Sequence, residues 1–450
     1  MHSVLDPAFR RDLGDGLVLR WSTADDIERI ATLHSLVHRD AVDAPPNEEY
    51  IRQIRRMMSD DFPLMGPRDF GVVEDTSKAG NPIIATTAVW RHTWAYEGIP
   101  FHVGRPEMVA TDPAYRNRGL IRALFELFHA RSEAQGDLVQ AITGISYFYR
   151  QFGYEYALEL DDRRMMPIAL IPEVRGALTL REATVDDIPL LEELYRRRQA
   201  SGILSELPTR AMWLYDIETW KRHPELRHFL ACYMLVNAAG ETVGALITDA
   251  YRRGKALYVW LLELIEGTNM QAILPSLLQA LRAYGAGIEP ALPDGEPFLE
   301  ICFALGTTHP VFEFADITLR QPVEAPYAWY LRVKDLPGFL LHIAPALEQR
   351  LAASSLAGYS GDIKVNFYRG GLRMHLERGR LKVVEDWRKP VYGESEDASF
   401  PPLLFLQVLF GYRSVDFLRQ VFPDVWASVE AAPLLKVLFP TRPSFMLCWN

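Results

Sequence analysis

Two arginines and a glycine, in the run Arg116-Asn117-Arg118-Gly119, stand directly before an amphipathic stretch, Leu120 to Gln135. The first N–H groups of a helix have no intrahelical partner and carry partial positive charge. A basic loop that feeds such a terminus is a natural anion site. Gly119 lets the backbone come close to the anion, and Arg116 and Arg118 can add charge-assisted hydrogen bonds. Further along, Tyr147-Phe148-Tyr149-Arg150-Gln151-Phe152-Gly153-Tyr154-Glu155 supplies phenols. Together the two segments can hold a pyrophosphate at one end and a proton donor at the other.

The elements that must position these groups can be read from the residues around them. Met108-Val109-Ala110-Thr111 is strand-like and is ended by the turn pair Asp112-Pro113. In the helix, the apolar positions 120, 121, 124, 125, 127 and 128 define one buried face, and Gly136 closes it. Either segment alone has a plainer reading. Arg-x-x-Gly before a helix also describes a solvated turn, and an aromatic run also describes a core.

Taken together, the segments resemble the GNAT acetyltransferases. The pyrophosphate loop of that family, Arg/Gln-x-x-Gly-x-Gly/Ala, falls on Arg116, Gly119 and Ile121, with Ile121 departing from the small residue of the pattern. The segment Tyr147 to Glu155 is similar to the FYxxFGYE run that closes many such domains. The resemblance implies acetyl-CoA as cosubstrate, with its pantetheine arm along Val109, Ala110 and Thr111. Its pyrophosphate would then lie on Arg116, Asn117, Arg118, Gly119, Leu120, Ile121 and Arg122. It implies Tyr149 as the general acid for the departing thiolate. The chemistry is sound, because a phenol of pKa about 10 gives a proton to a thiolate of pKa about 8.5 at little cost. Tyr147, Phe148, Phe152 and Tyr154 are read as core aromatics. No acyl-enzyme is expected: no cysteine lies in the motif and no Ser-His-Asp pattern presents itself.

A length of 450 residues, 49% of them hydrophobic and 24% charged, describes a globular chain of two to four domains. The net charge of −10 speaks against nucleic acid as a partner and suits a cationic amine as well as plain solubility. No apolar run is long enough to cross a membrane and no signal peptide is evident, so no membrane role is expected and the cytoplasm is. Cys232, Cys302 and Cys448 are too scattered for a disulfide framework or a zinc site. No metal is expected, and the first two cysteines read as small buried hydrophobes.

Leu17 to Leu33 and Leu178 to Leu194 share Leu, Leu, Arg, Thr, Asp, Asp, Ile and Leu at a constant offset of 161. Each reads as strand, capped turn and helix, with Thr23 and Thr184 as N-caps. Hairpins follow in both copies, around Ser77-Lys78-Ala79-Gly80-Asn81-Pro82 and Asn237-Ala238-Ala239-Gly240-Glu241. The second copy has Glu266-Gly267-Thr268-Asn269 where the first has its arginine loop, so it is expected to hold no cofactor. After about Glu324 the chain reads as a helix over Pro337 to Leu351. Three alternating strands follow at Ile363, Leu372 and Leu381, then two or three helices after Pro401-Pro402. This segment resembles the sterol-carrier-protein-like domain.

The fold class expected is mixed α+β: two tandem GNAT folds and a sterol-carrier-like domain, at residues 1–168, 169–322 and 323–450. That plan resembles the enhanced intracellular survival family of bacterial acetyltransferases. The resemblance implies acetyl transfer to a small-molecule amine or a lysine side chain, and a homo-oligomer. It also implies that the terminal carboxylate, here on Asn450, serves as the general base. The tail itself is unusual, because Phe445-Met446-Leu447-Cys448-Trp449 is apolar where free ends are normally polar. The alternative is a lipid or small-molecule carrier that uses the third domain beside a relic acetyltransferase fold.

Overall fold

The computed structural model describes residues 3–39, 41, 43–160, 163–174, 178–222, 230–291, 295–315, 319, 328–390 and 395–447. They form two compact units: Met1–Leu158 with Ile203–Leu207 and Ala328–Arg442, and Glu159–Gly202 with Pro208–Tyr327 and Pro443–Asn450.

The first unit is built on a nine-stranded sheet. Its strands are β1 (Arg10–Gly14), β2 (Leu17–Trp21), β3 (Phe70–Asp75), β4 (Ile83–Tyr96), β5 (Ile99–Thr111), β6 (Val139–Ile142) and β7 (Glu155–Glu159). Two strands from distant sequence complete it. Ala328–Arg332 lies between β6 and β7, and Leu204–Glu206 pairs with β4. β1 to β5 form antiparallel pairs, whereas β5 and β6 are parallel. The helices are α1 (Ile27–Val37), α2 (Glu48–Met57) and α3 (Leu120–Ala134). Leu120, Leu124, Leu127 and Phe128 on one stripe of α3 pack with Leu19, Trp21, Val73 and Ala85 of the sheet, as its apolar periodicity requires. Gly71 makes room for this packing, since a Cβ there would stand 3.2 Å from Leu124.

The first unit also holds a five-stranded sheet of Gly361–Asn366, Gly371–Glu377, Arg380–Asp386, Ala398–Ser399 and Trp426–Ala427. Two expectations need revision. The single helix over Pro337 to Leu351 is two, Leu336–His342 and Ala344–Ala352, divided at Ile343 because Pro345 starts a new helix. The strand expected at Met108 begins at Ile99, Pro106 lying within it. The Ala328–Arg332 strand was not anticipated.

The second unit carries a six-stranded sheet in the order Arg164–Pro167, Glu300–Phe303, Ala256–Leu264, Thr242–Asp249, Leu230–Val236, Thr179–Glu182. The Met270–Gly287 helix packs on it through Leu274, Leu277, Leu278 and Leu281. Cys232 and Cys302 are buried thiols, as expected.

The mixed α+β class holds, and the repeat has a physical explanation. In the first copy Arg20 grips Asp26 with bonds of 2.7 and 2.9 Å, and the Thr23 N–H donates to Asp26 Oδ2 at 2.8 Å. In the second, Arg181 grips Asp187 at 2.9 and 2.8 Å, and the Thr184 N–H donates to Asp187 Oδ2 at 2.8 Å. The shared Arg, Thr and Asp thus form one staple made twice, which fixes the turn from strand to helix.

Candidate active site

The phosphate loop has the geometry an anion requires. Asn117 and Gly119 both take left-handed backbone, at φ 61° and 75°. Gly119 is the N-cap of α3, no side chain caps that terminus, and no acid stands in its first turn. The leading N–H groups are therefore left to a ligand. The Arg116 side chain is exposed and makes no ion pair or hydrogen bond among the described residues, its backbone N–H alone being used, on the Pro113 carbonyl. Arg118 pairs loosely with exposed Asp15 at 3.1 Å, and Arg122 lies over Phe152. The second copy shows the contrast: Asn269 caps its helix by accepting from the Ala272 N–H, so that terminus satisfies itself.

Ile121, the departure from the small-residue pattern, turns its side chain inward. It packs with Val109, Phe125 and Tyr149 in one aromatic cluster, so three of the sequence-predicted positions meet there. Tyr149 sits in the short turn Phe148–Phe152 and is 4% exposed, against Phe125 and Tyr330. Gly144 has φ 146°, and a Cβ there would stand 3.2 Å from the Tyr149 hydroxyl. The hydroxyl therefore rests against bare backbone just beyond β6. Tyr154 is core as expected, donating to or accepting from His129 Nε2 at 2.9 Å. Tyr147 is not core: it is 73% exposed beneath Arg150, because its left-handed backbone (φ 69°) turns the ring outward.

Between the loop and Tyr149 the sheet opens. β5 and β6 pair only at Val103 with Val139 and Gly104 with Gln140 among the described residues. Beyond them β5 runs on to Thr111 with a bulge, Thr86 facing Ala110 while Ala88 faces Glu107. Ala110 and Thr111 therefore have β4 partners on one edge, Val109 lies in the bulge, and none of the three has a β6 partner on the other edge among the described residues. A gap of this kind can take an extended chain with hydrogen-bonding groups.

Sequence reasoning missed a charged wall beside this gap. Arg105 lies over the rings of Trp90 and Trp329, at 5.2 and 4.6 Å, and donates to Glu107 at 2.6 Å. Burial pushes the Glu107 carboxyl up, with Arg105 pulling it back. His92 is buried between Arg105 and Glu206, and burial keeps its pKa well below the usual value. The signal available was the run Arg105-Pro106-Glu107, two charges inside a strand. Lys78, over the Tyr115 ring at 5.5 Å, adds a cation near the loop, and nothing in its turn sequence marked it. The Asn450 carboxylate lies outside the described residues. The last described tail residues in the second unit, Phe445 and Leu447, are buried, Phe445 under Arg198 at 4.9 Å.

The model of the acetyltransferase (GNAT) domain matches residues 19–157. Among curated proteins none matches this sequence. Solved structures share the fold along the chain. A conserved protein of unknown function from Enterococcus faecalis V583, described as a probable N-acyltransferase, aligns over 96% of this chain and 100% of its own, with TM-score 0.64 and 12% identity. A GCN5-related N-acetyltransferase from Anabaena variabilis covers 96% and 99%, with TM-score 0.63 and 13% identity. Eis1 from Mycobacterium abscessus covers 96% and 99%, with TM-score 0.56 and 15% identity. The uncapped α3 terminus, the arginine loop and the opened sheet all lie inside residues 19–157, so this chain carries an acetyltransferase (GNAT) domain there, a domain that implies an acyl-CoA cosubstrate.

Proposed function

We propose that the protein transfers an acetyl group from acetyl-CoA to a primary amine, of aminoglycoside, polyamine or lysine type, by direct attack. The carrying observation is the α3 N-terminus, left uncapped behind Gly119 while its counterpart at Asn269 is capped. Bound there, acetyl-CoA would supply the activated acyl carbon. Arg116, Asn117, Arg118 and the N–H groups of Gly119 to Arg122 would hold the pyrophosphate. Val109, Ala110 and Thr111 would line the arm and offer backbone N–H to the thioester carbonyl. As the amine nitrogen bonds to the carbonyl carbon and the C–S bond breaks, Tyr149 gives its proton to sulfur. The Asn450 carboxylate, through water, takes the proton the amine must lose. Holding both partners in line supplies much of the rate.

The direct test is binding. Replacing Arg116 and Arg118 together with Ala is expected to weaken acetyl-CoA about tenfold or more by calorimetry, since each removes a charge-assisted bond. Unchanged affinity would place the cosubstrate elsewhere. For the base, a short peptide appended after Asn450 moves the terminal carboxylate away. Turnover is expected to vanish while the melting temperature holds, and an active extended enzyme would end Asn450's part.

The three-part plan of residues 1–168, 169–322 and 323–450, with the second copy free of cofactor, is supported by three separate sheets and by the Asn269 cap. We place the enzyme in the cytoplasm as a homo-oligomer on family likeness. No helix among the described residues is long and apolar enough to cross a membrane. A carrier role for the last segment would need a roomy cavity. The one lined by Leu336, Phe367, Leu403 and Phe405 is about 260 Å³, below the usual range for ligand pockets.

A further inference from the structure

The bulge that shapes β5 is centred on Met108, whose backbone is left-handed at φ 49°. A side-chain-bearing residue persists in that conformation only where its surroundings hold it. Two buried side chains do so. The Thr86 hydroxyl donates to the Met108 carbonyl at 3.2 Å, and His34 Nε2 lies 2.9 Å from the same hydroxyl. The hydroxyl has one proton and spends it on the carbonyl, so His34 Nε2–H is the donor to Thr86. His34 Nδ1 is then the bare nitrogen, and among the described residues it has no hydrogen-bond partner. Burial keeps the ring neutral, with a pKa lowered to about 3. His34 and Thr86 are both fully buried. His34 reaches the sheet from the inner face of α1, edge-on to Phe70 and stacked on His38. A histidine costs more to bury here than an apolar residue would, and the one described hydrogen bond of its ring leads through Thr86 to Met108.

We propose that His34 and Thr86 are positioning residues for acyl transfer: they fix the Met108 bulge and thereby aim the backbone N–H groups that follow it at the thioester carbonyl. The proposal rests on the reading that acetyl-CoA lies along Val109, Ala110 and Thr111.

Thr86→Val removes the hydroxyl at nearly constant shape, and Thr86→Ser restores it. In the full-length enzyme, Thr86→Val is expected to lower kcat about tenfold or more while acetyl-CoA affinity stays within about threefold, and Thr86→Ser to recover most of the rate. The infrared carbonyl band of bound ¹³C-acetyl-CoA should move toward its free position in Thr86→Val and not in Thr86→Ser. Should Thr86→Val fail to fold, His34→Gln carries the same test: lower kcat with affinity kept upholds the proposal, and a wild-type kcat overturns it. Hydrogen exchange separates the two levels. If acetyl-CoA leaves the 109–111 amides of the wild type unprotected, the cosubstrate reading falls and the proposal with it. If those amides are protected but Thr86→Val keeps wild-type kcat and an unmoved band, the positioning proposal alone falls.

Discussion

Tyr149→Phe is expected to lower kcat by about a hundredfold or more, the usual scale for loss of a positioned proton donor, with acetyl-CoA affinity nearly unchanged. The geometry makes this a clean deletion. The ring is wedged between Phe125 and Tyr330, so phenylalanine should occupy the same space. The hydroxyl rests against Gly144, a position that no residue with a Cβ could fill without moving it. Two neighbours calibrate the result. Tyr147→Phe, at an exposed ring, should leave kcat alone. Tyr154→Phe removes a buried hydroxyl paired with His129 and should cost stability more than rate. A Tyr149→Phe enzyme that turns over like the wild type would remove Tyr149 from the mechanism. Equal losses in all three variants would mean that the aromatic cluster is only a core.

Much of this site was legible because its chemistry is local in sequence. The loop at Arg116, the helix after Gly119 and the turn at Tyr149 lie close together along the chain, and each leaves a pattern of spacing. The repeat was legible for a related reason: Arg20, Thr23 and Asp26 form a staple within seven residues, and the same staple recurs at Arg181, Thr184 and Asp187. What stayed hidden depends on pairing over long separations. Tyr330 reaches the Tyr149 cluster because Ala328–Arg332 joins the first sheet, and Glu206 reaches His92 because Leu204–Glu206 pairs with β4. A five-residue and a three-residue strand carry too little periodicity to show where they will pair. The Met108 bulge was hidden too, since methionine is no signal for left-handed backbone.

The same staple in two settings gives the second large effect. Arg20→Ala is expected to destabilise the first unit by about 3–5 kcal/mol, and Arg181→Ala the second by about 1 kcal/mol or less. The difference is burial. Asp26 is wholly buried and the Arg20 side chain is 9% exposed, whereas the Arg181 side chain is 44% exposed. Arg20 also holds buried Glu74 at 2.7 Å, so its loss takes the one buried cation from two carboxylates, leaving Asp26 to partly exposed Arg29 and Glu74 to exposed Arg10. Acid should distinguish this from simple loss of packing. Burial by itself would raise the Asp26 pKa, but the hydrogen bonds from Arg20 and from the Thr23 N–H overcome it and leave it lowered. A depressed carboxylate contributes stability above its unfolded pKa of about 4 and loses it as pH falls through the folded value. In Arg20→Ala the buried carboxylate loses its main cation, and protonation then relieves the strain instead of adding to it. The gap between wild type and Arg20→Ala, read as denaturant midpoints by hydrogen exchange in β2 and α1, should therefore be widest near neutrality and narrow below about pH 4. A gap that stays constant with pH would mean that Arg20 acts through its packing and not through its charge.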